Sequence, residues 1–529
     1  MNNDTVTISR EEYENLLKAN AELSQQVKDL VEAIALLRKQ RFGSSSEKNK
    51  VDDGEQLSFL FNEAEVYADA AGSSEAKEPD LATVKEHKRS KKRLVNSVDL
   101  PEDVEIAPVY KRLEGDDLKC PNCGEEMEQI GEEIVRRLKM IPAKAVIEET
   151  HIFTYACKNC TVKDENTVIV SAKADPPVIP GSNATPEAIA FLADTKFVAY
   201  TPLYRMEQIL KRRGIPLSRQ TMSNWLLKAC ELWLEPTWDL MKVLLLEEDI
   251  LHADETTLQV LHEPDRKAQT KSYIWLYRTG RYARQQLVLY EYQQTRGAEH
   301  PENFLLGYKG FLNADGYAGY HKLPEAIRVV GCLAHARRKF VEALDALKEE
   351  DRKGTAQERG VQYFDALFAL EEKWHDLAPD ERKKLRAEFA KPILDELHNW
   401  VFRLNASTKS LLGKAAHYTR SQWQWLIRYL EDGRLDISNN RAERSIKPFV
   451  MSRKNFLFAN TPSGAKASAI YFSLIETAKE NGLDPYRYLT WVLKTAPMLD
   501  MKDCDQVEML LPINAPEECR AGKGNTVAS

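Results

Sequence analysis

Three acidic residues, Asp254, Asp315 and Glu443, lie far apart in the chain, yet each sits in a context suited to holding a divalent cation. Asp254 falls within Asp249-Ile-Leu-His-Ala-Asp-Glu-Thr-Thr-Leu-Gln-Val-Leu, where apolar and β-branched neighbours favour a strand. Asp315 ends a second such run, Phe311-Leu-Asn-Ala-Asp-Gly-Tyr, and Gly316 supplies the turn that takes the chain off the sheet. Glu443 belongs to Ser438-Asn-Asn-Arg-Ala-Glu-Arg-Ser-Ile-Lys-Pro, which reads as the first turns of a helix capped by Ser438 or Asn439. Two strand-borne aspartates and one helical glutamate, if they converge, suit Mg²⁺ or Mn²⁺, because hard cations take carboxylate and phosphate oxygens together. Two such ions roughly 4 Å apart would activate the attacking oxygen and carry the leaving one in phosphoryl transfer. Since the chain carries 81 Asp plus Glu, three ordinary surface acids are the competing reading.

The surroundings favour the metal. Residues 434–466 hold seven Lys or Arg (434, 441, 444, 447, 453, 454, 466) against two acids (436, 443), a local balance of +5 in a protein of net charge −7. Basic residues around a lone acid are what a metal ligand beside a phosphate backbone requires. Arg444, Lys447, Arg453 and Lys454 follow Glu443, and the nearer of them share or flank its helical face, where they can meet phosphate oxygens. His335 and Arg337 open another helix, in Ile327-Arg-Val-Val-Gly-Cys-Leu-Ala-His-Ala-Arg-Arg-Lys-Phe, and are candidates for the same contact. His335 is equally readable as a helix-start residue with no ligand role.

The elements that must position these groups are spread over a chain of 529 residues, long enough for several domains. A hydrophobic fraction of 43% with nine tryptophans fits a mostly folded protein, and no run approaches the 18 or more apolar residues of a membrane span. The start, Met-Asn-Asn-Asp-Thr, lacks a basic-then-apolar leader, so a soluble cytoplasmic protein is expected. Of eight cysteines, four form the pairs Cys120/Cys123 and Cys157/Cys160, with 33 residues between the pairs. Paired thiolates on tight turns suit a tetrahedral structural Zn²⁺ in a zinc ribbon-like domain, here 101–175. The scattered Cys230, Cys332, Cys504 and Cys519 fit a reducing compartment.

Leu16, Leu23, Leu30 and Leu37 recur every seven residues beside Tyr13, Asn20, Val27 and Ile34, the pattern of a short coiled coil over 1–42. An amphipathic helix packed on its own chain is the alternative. Residues 43–100 have linker composition and include the basic run Lys85-Glu-His-Lys-Arg-Ser-Lys-Lys-Arg. Over 185–240 an apolar helix face, Gly214 and a second helix capped by Ser218 suggest a helix-turn-helix, with Arg212, Arg213 and Arg219 offered to DNA. Strands are expected at 250–261, 272–278, 285–292, 310–314 and 327–332, in the order of a ribonuclease H-like α/β core. That core spans 243–340, is interrupted by an all-helical insertion at 341–435, with turns near Gly354, Pro379 and Gly413, and resumes at 436–466 with the Glu443 helix. A helical C-terminal region (467–515) and a frayed tail (516–529) complete a multidomain α/β architecture.

These motifs resemble, over nearly the whole chain, the large transposase subunit of bacterial insertion sequences of the family numbered sixty-six, a branch of the DDE transposases. The resemblance rests on Ala253-Asp-Glu-Thr, Ala314-Asp-Gly-Tyr, Cys332-Leu-Ala-His-Ala-Arg-Arg-Lys-Phe and Asn439-Asn-Arg-Ala-Glu-Arg with Lys447-Pro and Arg453-Lys-Asn, besides the zipper and Cys₄ pattern. It implies that Asp254, Asp315 and Glu443 are the catalytic acids. Neighbouring strand residues face opposite ways, so only one of Asp254 and Glu255 can serve the site, and the motif favours Asp254. It further implies metal-dependent cleavage and strand transfer at element ends (terminal inverted repeats) into target DNA, a homodimer or larger assembly, element-encoded accessory proteins, and a bacterial cytoplasmic location on the nucleoid. A nuclease that cleaves without joining, and a zinc-containing DNA-binding regulator without chemistry, are the rival functions.

Overall fold

The computed structural model describes residues 145–156 and 169–522, along with Arg10 and the strand pairs Thr83–Val84 and Ile134–Val135. The leucine stripe, most of the 43–100 linker and Cys120, Cys123, Cys157 and Cys160 lie outside the described residues. Thr83–Val84 pairs antiparallel with Ile134–Val135, and Thr154–Ala156 pairs antiparallel with Ile169–Ser171. Residues Asp175–Cys519 belong to a separate compact unit.

That unit opens with four helices, α1 (Pro186–Ala193), α2 (Leu203–Arg212), α3 (Arg219–Ala229) and α4 (Glu235–Leu246). Between α2 and α3 the chain turns at Gly214, whose φ of +80° lies in the left-handed region that a β-carbon disfavours. Ser218 starts α3 by accepting a hydrogen bond from Thr221 N at 3.1 Å, and Glu207 of α2 accepts one from Arg219 N at 2.9 Å. The short connection therefore locks two helices together and leaves Arg212, Arg213 and Arg219 exposed.

The centre is a five-stranded sheet of β1 (Ile250–Gln259), β2 (Lys271–Thr279), β3 (Val288–Gln293), β4 (Gly310–Ala314) and β5 (Ile327–Gly331), with α5 (Glu299–Phe304) between β3 and β4. Its spatial order is β3-β2-β1-β4-β5, antiparallel through β1, β2 and β3 and parallel through β1, β4 and β5. β1 is central and largely buried, so its polar residues His252, Glu255 and Thr256 are buried as well.

After β5 come α6 (Leu333–Asp345), α7 (Ala356–Lys373), α8 (Pro379–Leu385), α9 (Lys391–Arg403) and α10 (Leu411–Leu426). They enclose their own core around Phe340, Phe364, Leu367, Leu394, Leu397 and Val401. The turn expected near Gly413 falls earlier: Ser410 caps α10 by accepting from Gly413 N at 3.0 Å, so the glycine is inside the first turn. A β-carbon there would meet the Ser407 carbonyl oxygen at 1.9 Å, which explains the residue type.

The chain returns through α11 (Asn440–Phe456), α12 (Pro462–Glu480) and α13 (Pro485–Thr495). α12 covers the open edge of β3: Thr477 Oγ1 accepts from Val288 N at 2.9 Å, and Ser473 Oγ accepts from Tyr290 N at 2.8 Å. Side-chain hydroxyls thus satisfy strand donors that would otherwise invite another strand. The expected frayed tail is corrected for its first residues. Cys519 is buried, and its carbonyl accepts from Asp484 N at 2.8 Å, docking the segment on the start of α13. Among the described residues no helix is long and apolar enough to cross a membrane.

Candidate active site

The parallel register brings the two aspartates together. Ile250 pairs with Phe311, Leu251 with Leu312 and His252 with Asn313; carried two residues further, the same register sets Asp254 beside Asp315. Asp315 leaves the sheet in a turn where its Oδ1 accepts from Tyr317 N at 2.9 Å. Burial first, and then the charges of Glu255, Asp315 and Glu443, push the Asp254 carboxyl well above the ordinary carboxylate range, against a hydrogen bond from Glu255 N at 2.8 Å. Asp254 therefore feels the charge of both Asp315 and Glu443.

Glu255 is otherwise employed. Its side chain is buried and takes Arg296 Nε on Oε1 at 2.8 Å and the Tyr320 hydroxyl on Oε2 at 2.7 Å. The carboxylate is ion-paired with Arg296, whereas the charges that bear most on Asp254, that of Glu255 among them, are all negative.

Glu443 is delivered by the way α11 is fastened. Asn439, buried at the head of the helix, donates from Nδ2 to the Ala253 carbonyl at 2.8 Å, bonds His252 Nδ1 through Oδ1 at 3.1 Å, and gives its backbone N–H to Cys332 Sγ at 3.1 Å. The expected side-chain cap is thus corrected: Asn439 holds the cap position, but its amide makes no cap hydrogen bond and instead ties the helix to β1. Nearly two turns on, Arg278 of β2 joins Ser445 to Glu480 of α12, with Nη2 2.9 Å from Glu480 Oε2, and the Tyr290 hydroxyl donates to the Ser445 carbonyl. At the far end Arg453 donates to Thr257 Oγ1 at 2.6 Å and to the Thr257 carbonyl. Three attachments to the sheet leave the helix little freedom to rotate.

So held, Glu443 faces the start of α6. Its Oε1 lies 3.6 Å from His335 Nδ1 and its Oε2 3.8 Å from Arg338 Nη2, both beyond hydrogen-bonding reach. Its two carboxylate oxygens are buried and have no hydrogen-bond partner among the described residues. Burial raises its carboxyl above the usual range, opposed by Arg338 and Arg444.

The basic candidates separate. Arg444 and Lys454 are exposed, and Lys447 is half-buried. Arg453 is engaged with Thr257, and Arg337 donates to Asp365 of α7 at 2.6 Å. His335 does face Glu443, and beside it stands Arg338, which expectation passed over. It stands three residues after His335, on the same helical face, and that spacing was the available signal. Arg212, Arg213 and Arg219 lie on the α2–α3 pair and are not part of this cluster.

Replacing Asn439 by alanine removes the bond to the Ala253 carbonyl and leaves His252 short of a partner. We expect a loss of about 1–3 kcal/mol in denaturant unfolding, the cost of unsatisfied buried polar groups. A wild-type unfolding curve for that variant would contradict the fastening role.

Comparison with known proteins places the molecule. The model described as "Transposase IS66 family" matches residues 181–467, "IS66 C-terminal element" matches 473–513, "zinc-finger binding domain of transposase IS66" matches 117–161, and "Transposase C of IS166 homeodomain" matches 29–104. The chain belongs to the IS66 transposase family. Relatives from Sinorhizobium fredii include uncharacterized protein y4jD, 29% identical over 95% of this chain and 97% of the relative, and uncharacterized protein y4hP, 30% identical over 71% and 70%.

Proposed function

We propose that this chain is a transposase that binds the ends of an insertion sequence, cleaves there with Mg²⁺ or Mn²⁺, and joins the freed end to target DNA. The observation that carries the reading is Glu443, with two buried oxygens lacking hydrogen bonds among the described residues, within charge range of an Asp254 that Asp315 also loads. Closely set like charges that raise one another's carboxyl fit a cation-binding role. Asp254, Asp315 and Glu443 would hold the metal, without Glu255, whose partners are already in place.

When bound, the ions would activate the attacking oxygen and stabilise charge on the phosphate. The protein's own part is placement. β1 and β4 set the two aspartates side by side, Asn439 and Arg453 fix the pitch of α11, and Arg444, Lys447 and Lys454 offer positive charge along the helix. The strand order is consistent with a ribonuclease H-like core split as 243–340 and 436–466 around the helical block at 341–435. We assign α2 and α3 to a helix-turn-helix contacting DNA through Arg212, Arg213 and Arg219, and His335 and Arg337 to the rim of the active site. The zinc-finger match spans all four paired cysteines, which supports structural Zn²⁺ on Cys120, Cys123, Cys157 and Cys160. A zipper-assisted dimer, and accessory proteins encoded by the element, complete the proposal.

Labelled terminal DNA incubated with the protein, Mg²⁺ and a target plasmid separates the alternatives. Joined product supports the transposase, cleavage without joining indicates a nuclease, and a shifted band without chemistry indicates a regulator. Lys454 provides a second check: neutralising this exposed lysine should weaken DNA binding across sequences and lower the salt slope by about one. An unchanged slope removes it from the phosphate contacts.

A further inference from the structure

We propose that Cys332, His335 and Glu443 form a second cation site, suited to a borderline divalent ion such as Zn²⁺, which competes with the hard-ion site for Glu443. One ligand atom from each of the three residues lies within 4.8 Å of the others. Sulfur, imidazole nitrogen and carboxylate oxygen together suit zinc and cobalt far better than Mg²⁺, which takes oxygen ligands.

The scaffold is already rigid. Cys332 follows β5 and precedes α6, His335 lies in the first turn of that helix, and Glu443 comes across from α11. Asn439, which fixes α11, also donates its N–H to Cys332 Sγ at 3.1 Å, so one residue anchors both sides of the cluster. Backbone N–H groups of Ala334 and His335 also address that sulfur, an arrangement that favours its thiolate once a cation is present. Without one, burial and the Glu443 charge push the Cys332 thiol up to about 12, so a metal must displace its proton on binding.

Tetrahedral zinc bonds of about 2.0–2.3 Å separate donor atoms by about 3.5 Å. Closing the cluster thus takes donor-atom shifts of about 1 Å. The group to be displaced is Arg338, 3.8 Å from Glu443 Oε2, a loose ion pair that a bound dication would replace. Three protein ligands leave a fourth position for water. The competing account makes the sulfur a helix-start acceptor and His335 a weak partner of Glu443, with no metal.

The binding claim stands on this cluster alone, whereas its inhibitory consequence rests on the transposase reading. The test uses the full chain with its Cys₄ segment zinc-loaded, titrated with Co²⁺, which binds more weakly than zinc and leaves that segment occupied. Wild type should take up one further equivalent of Co²⁺ with thiolate-to-cobalt charge-transfer and tetrahedral visible bands. Both features should vanish in Cys332→Ser, which keeps a hydrogen-bond acceptor at the helix start, and in His335→Gln, which leaves the buried sulfur untouched. They should persist in Asp315→Asn. Zn²⁺ inhibition of Mg²⁺-dependent cleavage should weaken at least about tenfold in Cys332→Ser. Absence of the bands in wild type, or their retention in either Cys332→Ser or His335→Gln, overturns the site. Failure of the transposase reading would remove the cleavage readout, and the cobalt spectra would still decide whether the site binds.

Discussion

Asp315→Ala will abolish both DNA cleavage and strand transfer while sparing binding to the element ends. Asp315 stands beside Asp254 by strand register, and its charge adds to that of Glu443 in raising the Asp254 carboxyl. Loss of an outer partner of a metal ligand already costs about 10–100-fold, so loss of a ligand should exceed this and take the activity to background. End binding survives because the proposed contacts of α2, α3 and α11 lie on other elements. Metal-dependent nicking by the variant, measured on supercoiled plasmid, would refute the assignment. Stability should move the other way. An acid with a raised folded-state pKa contributes stability below its unfolded pKa, and that contribution is lost as pH rises through the folded value. At neutral pH without metal the cluster of like charges is therefore destabilising. The alanine variant should melt higher than wild type in chelator, and Mg²⁺ or Mn²⁺ should raise the melting temperature of wild type more than that of the variant.

Much of this arrangement is legible in local sequence because the strands declare themselves. Runs such as Ile250–Gln259 and Ile327–Gly331 combine apolar and β-branched residues with no helical period, and both form strands. Strand alternation says that Asp254 and Glu255 face opposite ways, the family motif favours Asp254, and the observed partners of Glu255, Arg296 and Tyr320, give that alternation a chemical content. What escapes is long-range. Asn439 reads as a helix cap because caps are local, whereas its actual partners, His252 and Ala253, stand 187 and 186 residues away. No periodicity announces such a pairing. Arg453 likewise stands out for its charge, yet its guanidinium reaches Thr257, 196 residues distant, and fastens the helix to the sheet. Charge predicts what a residue can bind, and topology decides what it meets first.

The largest stability effect is expected outside the catalytic acids, at Glu371. This buried carboxylate of α7 takes Arg386 Nε on Oε1 at 2.7 Å, Arg386 Nη2 on Oε2 at 2.6 Å and Arg382 Nη2 on Oε2 at 3.0 Å. Arg386 is fully buried and spends its remaining donors on the carbonyls of Tyr429 and Asp432, at 2.8 and 2.9 Å from Nη1, and of Leu435, at 2.8 Å from Nη2. A guanidinium has five N–H groups, and all five are used. The hub therefore holds 429–435, the stretch that leads into Asp436, Asn439 and α11. Glu371→Ala leaves a buried guanidinium without its anion, which should cost about 3–5 kcal/mol in equilibrium unfolding. Replacing both partners by apolar residues, Glu371→Leu with Arg386→Met, removes the unpaired charge and should recover part of that loss, although three carbonyls then lose their donor. A double-mutant cycle reads the difference directly. If the double variant is destabilised by the full sum of the two single losses, the pair is uncoupled, and the hub is a packing feature whose charges do not depend on each other.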